Sequence, residues 1–283
     1  MDNIEQFLAA CKFASTTKES YRRVLNRLGE TVHDAERLTA AELAQWLERQ
    51  RTWGPSMRWM AMCCIKSYVR WRYGDRHPAL EMQMKREESP PQRVLREHQV
   101  EKLLASFDTR TAVGRRNLAI CTLMLDSGLR AAELCRLDIR YLDLEERSFQ
   151  VIVKGGDWAG GSFSTYTRSC LMGWLGDREK LAKPGVKSVF VAVGGLHPGT
   201  QMTSDGLTSV VRKWGKKAGM KLSPHDLRRT FATIATRLGA SPRVVQAAGR
   251  WKSLAMVQHY TRSIEAKDMD RWFPVDGVMN GDY

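Results

Sequence analysis

The chain has 283 residues, of which 43% are hydrophobic and 27% are charged, a balance that excludes wholesale disorder. No apolar run reaches the roughly 20 residues of a membrane-spanning helix, and the first residues lack the basic and apolar segments of a signal peptide. We therefore expect a cytoplasmic protein that does not bind a membrane. A length of this order predicts two domains.

Positive charge is concentrated in the second part of the chain. Lys and Arg number 45 against 31 Asp and Glu, a formal net charge of +14, but residues 1–90 carry 15 basic and 12 acidic side chains and so contribute only +3 of it. A field of this sign attracts polyanions, nucleic acid first. The alternative is a basic surface that serves only solubility.

The six cysteines contain no Cys-x-x-Cys pair and no histidine partners at zinc spacing. Most of them fall in apolar helical stretches, where a reduced cysteine behaves as a small hydrophobic residue. We interpret them as core thiols in a reducing cytoplasm, and we expect no metal site.

Residues 1–85 show four helical patterns, which predict a helical domain. The first covers residues 2–12, and the starts of the other three are marked by Thr16-x-x-Glu19, Thr39-x-x-Glu42 and Gly54-Pro55. The first two of these marks are capping-box signatures, and the third places proline in a first helical turn. Residues 86–94 are charged and include Pro90-Pro91, so we expect an extended linker there.

Beyond the linker the pattern is mostly helical. Helices are predicted over residues 96–106, 115–127, 130–137, 204–218, 225–238, 242–250 and 253–262. Strands are predicted at 148–154 and 162–170, with a third extended piece at 188–193, because these stretches are rich in β-branched and aromatic residues. The chain is thus expected to be mainly α with a small antiparallel sheet, an α+β catalytic domain over 95–265 and a tail over 266–283.

Several polar residues lie where packing does not explain them. Arg130 follows a Ser-Gly-Leu turn between two apolar helices, with Glu133 one helical turn later. His225 and Arg228 share one face at a helix N-terminus, where backbone N–H groups and the helix dipole favour an anion. Each has an ordinary alternative, Arg130 as a surface charge beside Glu133 and His225 as a satisfied helix-start histidine.

These residues belong to three strings, SGLRAAELCRLDIRYLDL (127–144), SPHDLRRTFATIATRLG (223–239) and GRWKSLAMVQHYTR (249–262). In this order they resemble the signature boxes of the tyrosine recombinases, the phage-integrase family. The resemblance covers residues 94–265 and implies the catalytic domain of that family. It also implies that residues 1–85 are a core-binding domain, so that two domains form a clamp around duplex DNA.

The resemblance implies that Tyr260 is the nucleophile and that Arg130 and Arg228 are the phosphate-binding arginines, with Glu133 supporting the first. A phosphodiester under attack needs fixed positive charge around its oxygens, and guanidinium groups supply it as planar forks at any pH. Tyrosine, with a pKa of roughly 10, needs cations or a base to become a nucleophile.

The resemblance assigns three further catalytic residues. His225 falls on the position that handles protons near neutrality, and Lys154, at the end of a predicted strand, on the position that protonates the departing 5′ oxygen. Trp251, at the usual distance before the nucleophile, can donate its indole N–H to a phosphate oxygen. Arg250 departs from the pattern because many relatives have the His or Trp directly after glycine.

Two other departures from the family pattern are visible. The hairpin after the predicted lysine reads KGGDWAGGSFST, which is glycine-rich and acidic where relatives often have a further basic residue. Arg229 occupies a position that is often histidine, and we interpret it as a charge on the phosphate side.

The expected activity is site-specific recombination through a 3′-phosphotyrosine and a Holliday junction, without a cofactor, in a compact Xer-type layout that lacks an arm-binding domain. The expected partners are double-stranded DNA with paired inverted half-sites and three further copies of the chain, which would be a monomer or weak oligomer when free. The tail would dock in trans, and an accessory DNA-bending or directionality protein is a further possible partner. The alternatives are a type IB topoisomerase and a DNA-binding protein on this scaffold that no longer cleaves.

Overall fold

A computed structural model describes residues 2–85, 87, 93–153 and 155–260. The chain divides into two compact units, Met1–Pro90 and Pro91–Tyr283. None of the helices in the described ranges is both long enough and apolar enough to span a bilayer. The tail over residues 266–283 and most of the predicted linker lie outside the described residues.

The first unit is helical. Its helices are α1 (Asp2–Ala10), α2 (Ser15–Gly29), α3 (Ala40–Arg49) and α4 (Pro55–Tyr73), followed by a 3-10 turn at Pro78–Glu81. They bury one apolar cluster that includes Phe7, Leu25, Leu43 and Ile65. All four predicted helices are therefore present, and each contributes its apolar face to a shared core.

The two predicted capping boxes of this unit differ in outcome. At α3 the box is present, because the Thr39 hydroxyl accepts the Glu42 N–H at 3.2 Å and the Glu42 carboxylate accepts the Thr39 N–H at 2.8 Å. At α2 the prediction is wrong. The N-cap is Ala14, with no side-chain cap, and Thr16 lies inside the first turn, while Glu19 pairs with Arg22 at 2.7 Å.

The second unit contains eight α-helices, a 3-10 turn at Ile139–Tyr141 and one sheet within the described residues. The helices are α5 (Glu97–Ala105), α6 (Ala112–Ser127), α7 (Ala131–Arg136), α8 (Thr165–Leu181), α9 (Ser204–Lys217), α10 (Pro224–Arg237), α11 (Pro242–Gly249) and α12 (Leu254–Tyr260). The strands β1 (Leu142–Asp143), β2 (Ser148–Ile152) and β3 (Trp158–Ser162) form an antiparallel sheet in the order β1-β2-β3. Helix α6 packs against both α8 and α10, and its residues 118–124 are all buried.

The predicted strand over 162–170 is wrong, because β3 ends at Ser162 and α8 begins at Thr165. The Ser164 hydroxyl caps α8 by accepting the Thr167 N–H at 3.2 Å. The Asp126 carboxylate in turn accepts the Ser164 N–H at 2.9 Å and the Thr167 hydroxyl at 2.5 Å. These polar contacts start a helix where β-branched composition favours a strand.

The third predicted extended piece, 188–193, does not join the sheet. It makes two isolated bridges, Asp138 with Ser188 and Val191 with Gln201. The third strand of the sheet is instead the short β1, which pairs with β2 through Leu142 and Phe149.

Candidate active site

Arg130 lies at the turn between α6 and α7. Gly128 is the C-cap residue of α6 and has φ +59, and a Cβ there would lie 2.5 Å from the Phe231 ring. Glycine is therefore required both by the left-handed backbone and by the close approach of α10. The chain then turns so that Arg130, the N-cap residue of α7, has a side chain that is 40% exposed.

The buried Glu133 fixes the position of Arg130 through hydrogen bonds. Its side chain is only 4% exposed, and its carboxylate accepts the Arg130 Nη1–H at 2.6 Å and the Arg130 backbone N–H at 3.0 Å. Burial raises the pKa of Glu133, but the hydrogen bonds from Arg130 outweigh this effect, so the net pKa is lowered. An ionised, buried Glu133 thus fixes an arginine whose other side faces solvent.

The start of α10 is fixed by its capping box. The Ser223 hydroxyl accepts the Asp226 N–H at 3.3 Å, the Asp226 carboxylate accepts the Ser223 N–H at 2.8 Å, and Pro224 occupies the first helical position. This cap places His225 in the first turn and Arg228 one turn later.

Arg228 is 1% exposed and joins three segments of the second unit. Its guanidinium donates to the backbone carbonyl of Gly128 and, at 2.6 Å, to that of Gly249, and it lies 4.3 Å from the centre of the Trp251 ring. The carbonyl that it binds at Gly128 is two residues before Arg130. Arg228 therefore connects the α6–α7 turn to the segment between α11 and α12.

His225 is surrounded by positive charge. Although His225 is an exposed residue, desolvation by the surrounding protein and the charges of Arg229 and Arg228 lower its pKa to about 4; Asp226 opposes this effect and Arg130 adds to it. The imidazole is therefore neutral at pH 7, the form that can accept a proton, but the lowered pKa also makes it a weaker base until an anion binds beside it. The same charges define a place where an anion would be stabilised.

Trp251 packs under the segment that leads to α12. It is 5% exposed and stacks on Phe231, with ring centres 6.1 Å apart. Gly249 makes room for it, because a Cβ at that position would overlap the Trp251 ring. Val257 of α12 is buried in the same cluster, and Tyr260 is the last residue of this helix.

The structure thus brings Arg130, Glu133, His225, Arg228 and Trp251 into one region of the second unit. Lys154 lies outside the described residues and stays a prediction. In the described ranges we find no group of three His, Cys, Asp or Glu side chains that could hold a metal.

Sequence reasoning missed one residue of this region. The side chain of Arg250 is 4% exposed. Its Nε lies 3.6 Å from the Glu133 carboxylate, and its Nη2 donates to the carbonyl of Ser127 at 3.0 Å. Its only signal in the sequence was its departure from the motif between Gly249 and Trp251. Contacts to residues more than 100 positions away cannot be read from such a departure.

Comparison with known proteins gives a consistent result. The sequence pattern of the phage integrase family matches residues 93–267. The chain is 26% identical to tyrosine recombinase XerD of Listeria innocua serovar 6a, over 96% of this chain and 97% of the relative. It is 30% identical to tyrosine recombinase XerC of Corynebacterium efficiens, over 88% of this chain and 81% of the relative.

A solved structure shares the fold. The Tn1549 transposon integrase in complex with transposon right end DNA matches with a TM-score of 0.75 and 16% identity, covering 99% of this chain and 97% of that one. At this identity the likeness concerns the arrangement of helices and strands.

Proposed function

The chain belongs to the phage integrase family, and from this premise we propose that it is a site-specific DNA recombinase that cleaves and rejoins strands through Tyr260. The observation that carries the proposal is the cluster of Arg130, Arg228 and neutral His225 around the start of α10. The exposed Arg130 can bind a phosphate, the buried Arg228 adds positive charge beside it, and the neutral His225 can accept a proton there.

The proposed reaction begins when the Tyr260 hydroxyl attacks the scissile phosphorus and the bond to the 5′ oxygen breaks. Arg130 and Arg228 neutralise the charge that grows on the phosphate oxygens. His225 takes up the phenolic proton, Lys154 protonates the departing 5′ oxygen, and the Trp251 indole donates to a phosphate oxygen. The 3′-phosphotyrosine conserves the bond energy, so a 5′ hydroxyl can reverse the step and rejoin the strand.

Recombination between two sites requires more than one active site. We therefore extend the proposal to four copies of the chain on two DNA sites built of inverted half-sites, exchanging strands through a Holliday junction. Residues 1–85 would serve as the core-binding domain, and residues 266–283 would dock on a neighbouring copy. We place this assembly on DNA in the cytoplasm of a prokaryotic cell, with an accessory DNA-bending protein as an optional partner.

Two alternative activities are not favoured. A type IB topoisomerase would share the arginine and tyrosine chemistry but would act as a single copy. A non-cleaving DNA-binding protein would need neither the catalytic arginines nor the tyrosine. The curated relatives that match over most of both chains are named tyrosine recombinases, which supports strand exchange.

A plasmid carrying two cognate sites distinguishes these activities. We expect the chain to resolve or invert such a plasmid and to form a covalent adduct on a nicked substrate that traps the cleaved state. Tyr260→Phe should retain DNA binding and form no adduct, because it lacks the attacking oxygen.

Each other outcome of this assay contradicts part of the proposal. Relaxation of supercoils without exchange of sites would indicate a topoisomerase, and binding without cleavage would indicate a DNA-binding protein. An adduct formed by Tyr260→Phe would show that another residue is the nucleophile.

A further inference from the structure

Arg250 occupies a backbone conformation that arginine rarely adopts. It is the C-cap of α11, with φ 55 and ψ 46. This left-handed region is open to glycine and disfavoured for residues with a Cβ, and helices that end in it usually place glycine there. Among the described residues outside glycine, Arg147 is the other with a positive φ. A side-chain role would explain why arginine is found at this position.

Both terminal nitrogens of the Arg250 side chain donate hydrogen bonds. Nη1 donates to the Ala248 carbonyl at 2.8 Å, which braces its own loop, and Nη2 donates to the Ser127 carbonyl at 3.0 Å. The guanidinium also lies 5.6 Å from the centre of the Phe149 ring on β2. A single buried side chain thus contacts the end of α6, the sheet and its own loop.

Glu133 contacts both Arg250 and the exposed Arg130. One Glu133 oxygen lies 3.6 Å from the Arg250 Nε and also accepts the Arg130 backbone N–H. The other accepts the Arg130 Nη1–H at 2.6 Å. Arg250 and Glu133 are each 4% exposed, whereas Arg130 is 40% exposed. Arg250 and Glu133 therefore lie in the interior, and Glu133 links Arg250 to Arg130 at the surface.

We propose that Arg250 is a positioning residue that, through Glu133 and the Ser127 carbonyl, sets the orientation in which Arg130 meets the scissile phosphate. This inference rests on the proposed function, since it assigns Arg130 to the cleavage step. Arg250 pairs with Glu133, and Glu133 in turn binds Arg130, so the effect of Arg250 on the phosphate is indirect. Its loss should therefore lower the rate of cleavage on bound DNA and leave DNA affinity nearly unchanged.

Arg250→Gly is the variant of choice, because glycine accepts the left-handed backbone and removes only the side chain. We expect adduct formation at saturating DNA to slow by about 100-fold, the scale of loss that a small misplacement of a reacting group causes, with the Kd for a half-site within about twofold of wild type. Arg147→Gly makes the same substitution at an exposed positive-φ position whose Nη1 contacts Thr165. This matched control should cleave at the wild-type rate.

A double-mutant cycle tests the route through Glu133. If Arg250 acts through that carboxylate, Arg250→Gly combined with Glu133→Gln should cleave no more slowly than the slower single variant. Full additivity of the two losses, or a wild-type rate for Arg250→Gly, overturns the inference. A loss of affinity that accounts for the slower rate overturns it as well.

Two further results keep the test decisive. If Arg250→Gly melts below the assay temperature, Arg250→Asn replaces it, since asparagine tolerates the left-handed backbone and its neutral side chain cannot form the ion pair with Glu133. Cleavage by that variant within about twofold of wild type then overturns the inference. If the wild-type chain forms no adduct on any cognate site, the proposed function fails first. Wild-type adduct together with an unaffected Arg250 variant rejects only the positioning role.

Discussion

The protonation of His225 is set by its neighbours. Arg229 lies four residues after His225, one helical turn later, and pairs with Asp226 at 3.0 Å, so the carboxylate that raises the pKa of His225 is already shared with a cation. Burial and the arginine charges lower the pKa of His225 to about 4, well below the ordinary value of roughly 6.5. A lowered pKa means that the neutral form persists as the pH falls through 6.5 and is lost only near 4.

A pH series of cleavage tests this assignment. The second-order rate constant for adduct formation reports the protonation of the free enzyme. A histidine of ordinary pKa would lose roughly tenfold in rate at pH 5.5, whereas we expect less than about a twofold loss in this chain. Arg229→Ala should raise the pKa of His225 and move the loss to higher pH, with DNA affinity measured at each pH as the control.

One outcome of the pH series would contradict the lowered pKa of His225. A tenfold loss centred near pH 6.5 in the wild type, absent from His225→Gln, would show that His225 titrates normally. The arginines would then not surround it in solution as they do in the structure.

At the scale of elements, the packing of the segment between α11 and α12 requires a residue without a Cβ at position 249. Gly249 faces the Trp251 ring so closely that a Cβ would overlap it. Trp251 in turn packs with Phe231 of α10 and with Val257 of α12. The helix that ends at Tyr260 is therefore placed by packing against a tryptophan that cannot move without disturbing α10.

Gly249→Ala should destabilise the protein by about 1–3 kcal/mol, because overpacking a dense cluster forces side chains and backbone to shift. Adduct formation should slow as well, since α12 carries Tyr260. The matched control is Gly176→Ala in α8, where a Cβ would meet nothing within 4 Å. That variant should gain about 0.4–1 kcal/mol, because alanine lowers the entropy of the unfolded chain. Urea unfolding of both variants measures the difference; equal stabilities would show that the Trp251 cluster is loosely packed.

Local signals predicted much of this fold. The apolar periodicity of the first unit and the helix predicted from His225 are decided within a few residues, and both elements form. The strand predicted over 162–170 failed because Asp126, about 40 positions earlier, binds the cap of α8. Leu171 and Trp174, buried at helical spacing, were the available signal for that helix.

The residues of the candidate site also fall into those that local sequence identifies and one that depends on distant contacts. Arg130, His225, Arg228 and Trp251 could be named from the three motif strings, since residue type and spacing carry the chemistry. The role of Arg250 depends on contacts with Ser127 and Glu133, which adjoin it only after folding.

For the whole molecule, part of the net charge of +14 lies on one exposed helix face in the second unit. The solvent side of α9 carries Arg212, Lys213, Lys216 and Lys217, all exposed. Leu207, Val211 and Trp214 of the same helix are buried. Helix α9 therefore presents four cations on a face that the protein core does not use, which suits contact with phosphates.

The dependence of DNA affinity on salt measures how much of this charge contacts DNA. If both units bind one duplex and neutralise on the order of ten phosphates, log K should fall with log [salt] with a slope of about −9. Arg212→Ala should reduce the steepness by about one contact if α9 lies against the backbone. Replacing both Arg110 and Asp108, an exposed pair 2.8 Å apart, keeps the net charge and should leave the slope unchanged. A slope near −2 would contradict binding by both units, because so few released counterions correspond to a small contact. The excess of positive charge would then be explained by solubility.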